Sequence, residues 1–143
     1  MSGFRIKHFI VVGHCARVIT QLIRVKELTD FLERILAVKP MSSGTYDDGR
    51  WWTKFSINIH HQLAWNVVQE LGHIVNYVSL DERLPTVFYP VSPPPYMNGG
   101  PEQFLSWIIE TTDKDFDPAK MMEWLEGRLP NPVDDINQWK MDE

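Results

Sequence analysis

The chain has one cysteine, Cys15, and no Cys-X-X-Cys or Cys/His spacing. An internal disulfide and a cysteine-based zinc site are therefore excluded, and a cytoplasmic setting is expected. The longest unbroken apolar run, Phe9–Val12, falls far short of the roughly 20 residues that span a bilayer, so the chain reads as soluble with no membrane partner. Acidic residues are missing from the first 25 positions, where Arg5, Lys7, Arg17 and Arg24 stand among Phe4, Ile6, Phe9, Ile10, Val11 and Val12. Such a segment is docked on a core, leader-like in composition, or an upstream extension with little role in the fold. Val18, Leu22, Val25, Leu28, Leu32 and Ile35 carry one helical stripe onward, which favours docking.

What is present is an uneven charge. Positions 1–40 hold seven basic residues against three acidic ones, a net of +4, and positions 41–143 hold seven against sixteen, a net of −9. An acidic body repels phosphate backbones, so nucleic acid is excluded as a partner of that body, whereas a basic protein is attracted to it. With 143 residues and 43% hydrophobic content, one domain with a real core is expected.

Periodicity supplies the elements. Leu28, Phe31, Leu32, Ile35 and Leu36 predict an amphipathic helix over Lys26–Val38, ended by Pro40. Asp48-Gly49 predicts a hairpin turn that pairs Thr45-Tyr46 back on the next strand. Trp51, Thr53, Phe55, Ile57 and Ile59 alternate with Trp52, Lys54, Ser56 and Asn58, the pattern of a strand with its first set in the core. A second helix over Gln62–Ser79 buries Ala64, Val67, Val68, Leu71, Ile74, Val75 and Val78. Gly72 inside it costs about 1 kcal/mol relative to alanine and implies close approach of a neighbour. Thr86–Ser92 reads as a strand, and Pro90 places it at a sheet edge; if it shares a sheet with Trp51–Ile59, the intervening helix makes a parallel crossover. Pro101 predicts the start of a third helix that buries Phe104, Leu105, Trp107 and Ile108. Asp117, as N-cap before Pro118, predicts a fourth, stopped by Gly127. From Pro130 on, Val133, Ile136 and Trp139 are outnumbered by prolines and acids, so 130–143 is expected as a loosely ordered acidic tail.

No residue cluster amounts to a catalytic signature. His60, His61, Glu70 and His73 are the only metal-like grouping, and they lack the second carboxylate–histidine pair that a bundle site needs; neither a metal nor any other cofactor is implied. Cys15 and His14 are adjacent, about 100° apart on a helix, and cannot pair as nucleophile and base. Ser92 and Ser106 lack the Gly-X-Ser-X-Gly elbow of a serine hydrolase. Asp47/Asp48, Asp81/Glu82 and Asp134/Asp135 fall in turns or the tail, where carboxylates stay solvated.

The segment Leu84–Glu110 is the strongest functional signal, because three consecutive prolines and an Asn-Gly-Gly turn form a loop that costs little entropy to order. It nominates Tyr96, Met97 and Asn98 as partner-binding residues, joined by Tyr89 and by Trp52 on the strand face opposite Trp51. Burial of Trp52 under a second helical layer is the plain alternative; exposed, it is a natural hot spot. Gly99 and Gly100, ahead of a helix N-terminus, form a second candidate for a small anion.

These observations predict an α+β domain, or a small two-layer α/β one, with a sheet of two to three strands packed by about four helices. Its units are a basic segment 1–25, a body 26–129 and the tail. The function they favour is protein binding, inhibitor-like or immunity-like, through the proline loop and aromatics. Two alternatives stand beside it: an enzyme binding a small molecule or anion at Asn98–Pro101, and a homo-oligomeric structural protein.

Overall fold

The computed structural model describes residues 2–77, 83–91 and 106–140, with side chains from residue 18 onward. In chain order the elements are α1 (Ser2–Glu33), β1 (Val38–Thr45), β2 (Trp51–Ile57), α2 (Ala64–Asn76), β3 (Thr86–Val91), β4 (Ser106–Thr111), α3 (Pro118–Arg128) and α4 (Ile136–Trp139). The strands form one sheet in the order β1-β2-β4-β3, every neighbouring pair antiparallel. The architecture is α+β, and the expectation of two or three strands is corrected to four.

The extra strand is central. Sequence pattern places Ser106–Thr111 inside a third helix, yet it is β4, the partner of both β2 and β3; Pro101–Leu105 lies outside the described residues. Ser106, Trp107, Ile108, Ile109 and Thr111 are all buried, so the two-residue alternation that announces a strand is missing. Only the β-branched Ile108, Ile109 and Thr111 marked it. β2 and β3 run in the same direction across α2, with β4 between them.

α1 runs unbroken through position 25, so no break separates the basic segment from the remainder of the helix. It ends at Glu33, short of the expected Val38. Arg34 N–H donates to the Phe31 carbonyl at 3.0 Å and Ile35 N–H to that of Leu32 at 3.0 Å, tightening the last turn. Ala37 then enters the left-handed region at φ 75°, uncommon for a residue with a Cβ, and its carbonyl accepts from Asn58 N–H at 2.8 Å. The chain reverses there into β1, and Pro40 sits in that edge strand, where its missing N–H is tolerated. A register shift between Pro40 and Ser42 bulges the strand. Asp47-Asp48-Gly49 closes the β1–β2 hairpin, with Tyr46 N–H on the Arg50 carbonyl at 2.7 Å and Gly49 N–H on that of Tyr46 at 2.9 Å. Gly49 takes φ 93°, which favours glycine.

Helices cover one face of the sheet. Val25, Leu28, Leu32 and Ile35 from the first helix and its exit turn, Trp51 and Phe55 from β2, Val67, Leu71 and Ile74 from α2, Phe88 and Ile109 from β3 and β4, and Met121 and Leu125 from α3 make one core. Phe88 stacks on Trp107 at 4.8 Å and on Phe55 at 6.1 Å between ring centroids, the offset separation aromatic pairs prefer. Trp51 Nε1 donates to the Phe116 carbonyl at 2.7 Å, which ties β2 to the start of α3. There Asp117 caps through Ala119 N–H at 2.9 Å and pairs with Arg24 of α1. A Cβ on Gly72 would meet Phe88 at 3.9 Å, an ordinary contact; among the described residues the tight approach expected there is absent, and none of them explains this glycine.

Residues 130–140 also depart from expectation. Val133 and Trp139 belong to the core, Trp139 Nε1 donates to the Val133 carbonyl at 2.9 Å, and Asp135 caps α4 through Asn137 N–H at 3.0 Å. Two apolar side chains with a place to go outweigh the acidic composition around them, because burying each is worth roughly 1.5–3 kcal/mol.

Candidate binding surface

Alternation along β2 sends Trp51, Thr53, Phe55 and Ile57 to the helices and Trp52, Lys54 and Ser56 to the opposite face. Register then decides what joins them. Trp52 stands across from Glu110 and Lys54 across from Ile108; on the far side of β4, Val87 faces Glu110 and Tyr89 faces Ile108. Ile108 is only 7% exposed yet stands apart from the core cluster, as a residue of this second face should.

Glu110 is the centre of the surface. Tyr46 Oη, from the hairpin end, donates to Glu110 Oε2, and Tyr89 Oη donates to Glu110 Oε1 at 2.9 Å. The Tyr46 ring lies 6.3 Å from that of Trp52 at an interplanar angle of 37°. Gly44, opposite Trp52 on β1, makes room for the indole, since a Cβ there would come within 3.2 Å of it. Arg50 places its guanidinium 4.9 Å from the Tyr46 ring centroid and anchors by Nε to Asp48 Oδ2 at 2.7 Å. Trp52, Tyr46 and Glu110 are half-buried, and Tyr89 is 38% exposed.

Burial pushes the Tyr46 phenol up to about 12, reinforced by its hydrogen bond to the Glu110 carboxylate and that group's charge, with Arg50 opposing. Tyr89 is raised for the same reasons, burial first and Glu110 second. Asp48 is lowered by the Arg50 backbone N–H and then by its guanidinium. Both phenols therefore stay protonated donors at neutral pH, and the arrangement suits recognition: fixed rings around a carboxylate whose position two hydroxyls determine.

Of the sequence candidates, the fold brings Trp52 and Tyr89 to this one face. Tyr96, Met97, Asn98, Gly99 and Gly100 lie outside the described residues, as do Ser92, Asp81 and Glu82. The other polar candidates have local duties. His61 Nδ1 accepts from Leu63 N–H at 3.0 Å, Ser106 Oγ donates to the Val91 carbonyl at 2.8 Å, and His73 is exposed in the last turn of α2. Among the described residues no three His, Cys, Asp or Glu side chains gather as a metal would require, and no helix is long and apolar enough to cross a membrane. The six tryptophans divide: Trp51, Trp107 and Trp139 are buried, Trp52 and Trp124 are intermediate, and Trp65 is 61% exposed on α2.

Sequence reasoning missed Tyr46, Arg50 and Glu110. The hairpin signal at Asp48-Gly49 already implied that Tyr46 and Arg50 close the same turn. Glu110 gave no signal, because the strand that carries it read as helix.

Comparison with protein-family profiles, with curated protein sequences and with solved structures finds no match to this chain.

Proposed function

We propose that this chain is a protein-binding module that docks its partner on the sheet face away from the helices, at the end where Trp52, Tyr89 and Glu110 stand together. The observation that carries this reading is the Tyr46–Glu110–Tyr89 cluster, a pre-ordered aromatic and carboxylate patch on the face away from the helices. Tyrosine and tryptophan dominate interface energetics because they bury much area for few rotatable bonds. Ordering them before association reduces the entropy lost on binding. The acidic body makes a basic partner the favoured one, and an inhibitor-like or immunity-like module that masks such a partner in the cytoplasm fits the charge, the size and the single cysteine.

A photo-crosslinking side chain installed at Lys54, inside the patch, and separately at Glu126, exposed on α3, tests this in the cells that make the protein. A discrete cross-linked product is expected from position 54, lost when Trp52→Ala and Tyr89→Ala are added with melting unchanged, and absent from position 126. No product from position 54, or equal yields from both, overturns it.

A further inference from the structure

We infer that the Glu110 carboxylate is the seat of an arginine side chain from the partner, held by both oxygens and flanked by the rings of Trp52 and Tyr89. The inference rests on the docking face proposed above and names the chemistry that face reads.

Acceptor arithmetic comes first. An ionised carboxylate offers about four lone-pair directions. Tyr46 uses one on Oε2 and Tyr89 one on Oε1, so each oxygen keeps one for another donor, in an orientation the two phenols fix. A guanidinium presents two parallel N–H groups at the spacing that meets both oxygens of a carboxylate. An ammonium is a point charge without that fork.

Charge balance comes next. Among the described residues no cation is bonded to Glu110: Arg50, close enough for the two charges to interact, is hydrogen-bonded to Asp48 at 2.7 Å. The two hydrogen bonds the carboxylate accepts thus come from neutral donors, inside a body with a net of −9 over positions 41–143. Guanidinium groups also bind well to aromatic faces. Among the described residues the chain does so three times with its own side chains, Arg50 on Tyr46 at 4.9 Å, Arg83 on Tyr77 at 5.6 Å and Arg128 on Trp124 at 4.3 Å. Arg50 occupies Tyr46, so Trp52 and Tyr89 are the rings left for an incoming side chain.

The full chain, isotopically labelled, is titrated with acetyl-arginine methylamide, and with its citrulline and lysine counterparts, following the Trp52 indole N–H by NMR. Saturable shifts are expected with arginine, with affinity at least about tenfold weaker for neutral citrulline, as the loss of a charge-assisted pair implies. Lysine should fall between them. Glu110→Gln should weaken arginine binding by the same factor while circular dichroism shows the fold retained; the citrulline comparison on the unaltered chain needs no variant to fold. Equal binding of arginine and citrulline, lysine matching arginine, or full retention in Glu110→Gln overturns the arginine seat. If any of these occurs while the position 54 cross-link persists, the docking face stands and only its chemistry is wrong. Loss of that cross-link removes the face itself.

Discussion

Asn76, the last residue of α2, holds Phe88 by both of its backbone polar groups: Phe88 N–H donates to Asn76 Oδ1 at 2.8 Å, and Asn76 Nδ2 donates to the Phe88 carbonyl at 3.1 Å. β3 is an edge strand, and an uncovered edge is a template for pairing with another chain. The side-chain amide takes the place a neighbouring strand would occupy. Thr86 Oγ1 on the Val75 carbonyl, at 2.8 Å, fastens the same helix end to the same strand.

Asn76→Ala should therefore do two things. Losing both hydrogen bonds should cost about 1–3 kcal/mol in chemical denaturation, because the Phe88 groups are left poorly satisfied. The opened edge should also produce concentration-dependent association in sedimentation. A monomeric variant of unchanged stability would show that the amide guards nothing.

Alkaline pH addresses the Tyr46–Glu110 pair. The folded phenol is raised to about 12 from an ordinary value of 10.0. Its contribution to stability is full below pH 10 and is lost as pH climbs through about 12, since only the protonated form donates. Tyrosinate absorbance should reveal a late-titrating group that disappears in Tyr46→Phe. In Glu110→Gln that group should move back toward 10 without reaching it, because burial, the largest cause, remains. A titration curve identical in all three proteins would contradict the network.

Trp139 tests whether the C-terminal stretch belongs to the folded unit. It is 3% exposed and donates from Nε1 to the Val133 carbonyl, so Trp139→Ala should destabilise the whole domain by about 3–5 kcal/mol, as removal of a large core aromatic does. The unfolding transition should stay single. A cost of a few tenths of a kcal/mol would return this stretch to a loosely held tail.

Much of the fold was legible wherever one face of an element is buried. Trp51, Phe55 and Ile57 announced β2 by alternation, Ala64, Val67, Leu71 and Ile74 announced α2 by helical spacing, Asp117-Pro118 marked the start of α3, and Pro90 marked β3 as an edge. Ser106–Thr111 reads as helix because Ser106 and Ile108 on one face are buried as well as Trp107, Ile109 and Thr111 on the other, which erases the two-residue pattern and leaves an apolar run that suits a helix equally well. Val38 reads as helical because its stripe continues through Ile35, and no local signal showed that Ala37 would reverse the chain. Of the candidate surface, Trp52 and Tyr89 were visible as aromatics in odd positions. Their relation to Glu110 was not.

The sequence by itself determined an acidic body preceded by a basic N-terminal segment, most of the periodic elements and their turns, because charge, spacing and turn chemistry are properties of neighbours along the chain. Only the tertiary structure decided that β4 inserts between β2 and β3, that Asn76 closes an edge, and that two tyrosines from opposite edges of the sheet meet on one carboxylate. Those depend on which strands pair and in what register, and register is settled by the burial of residues far apart in sequence, so no local window contains it.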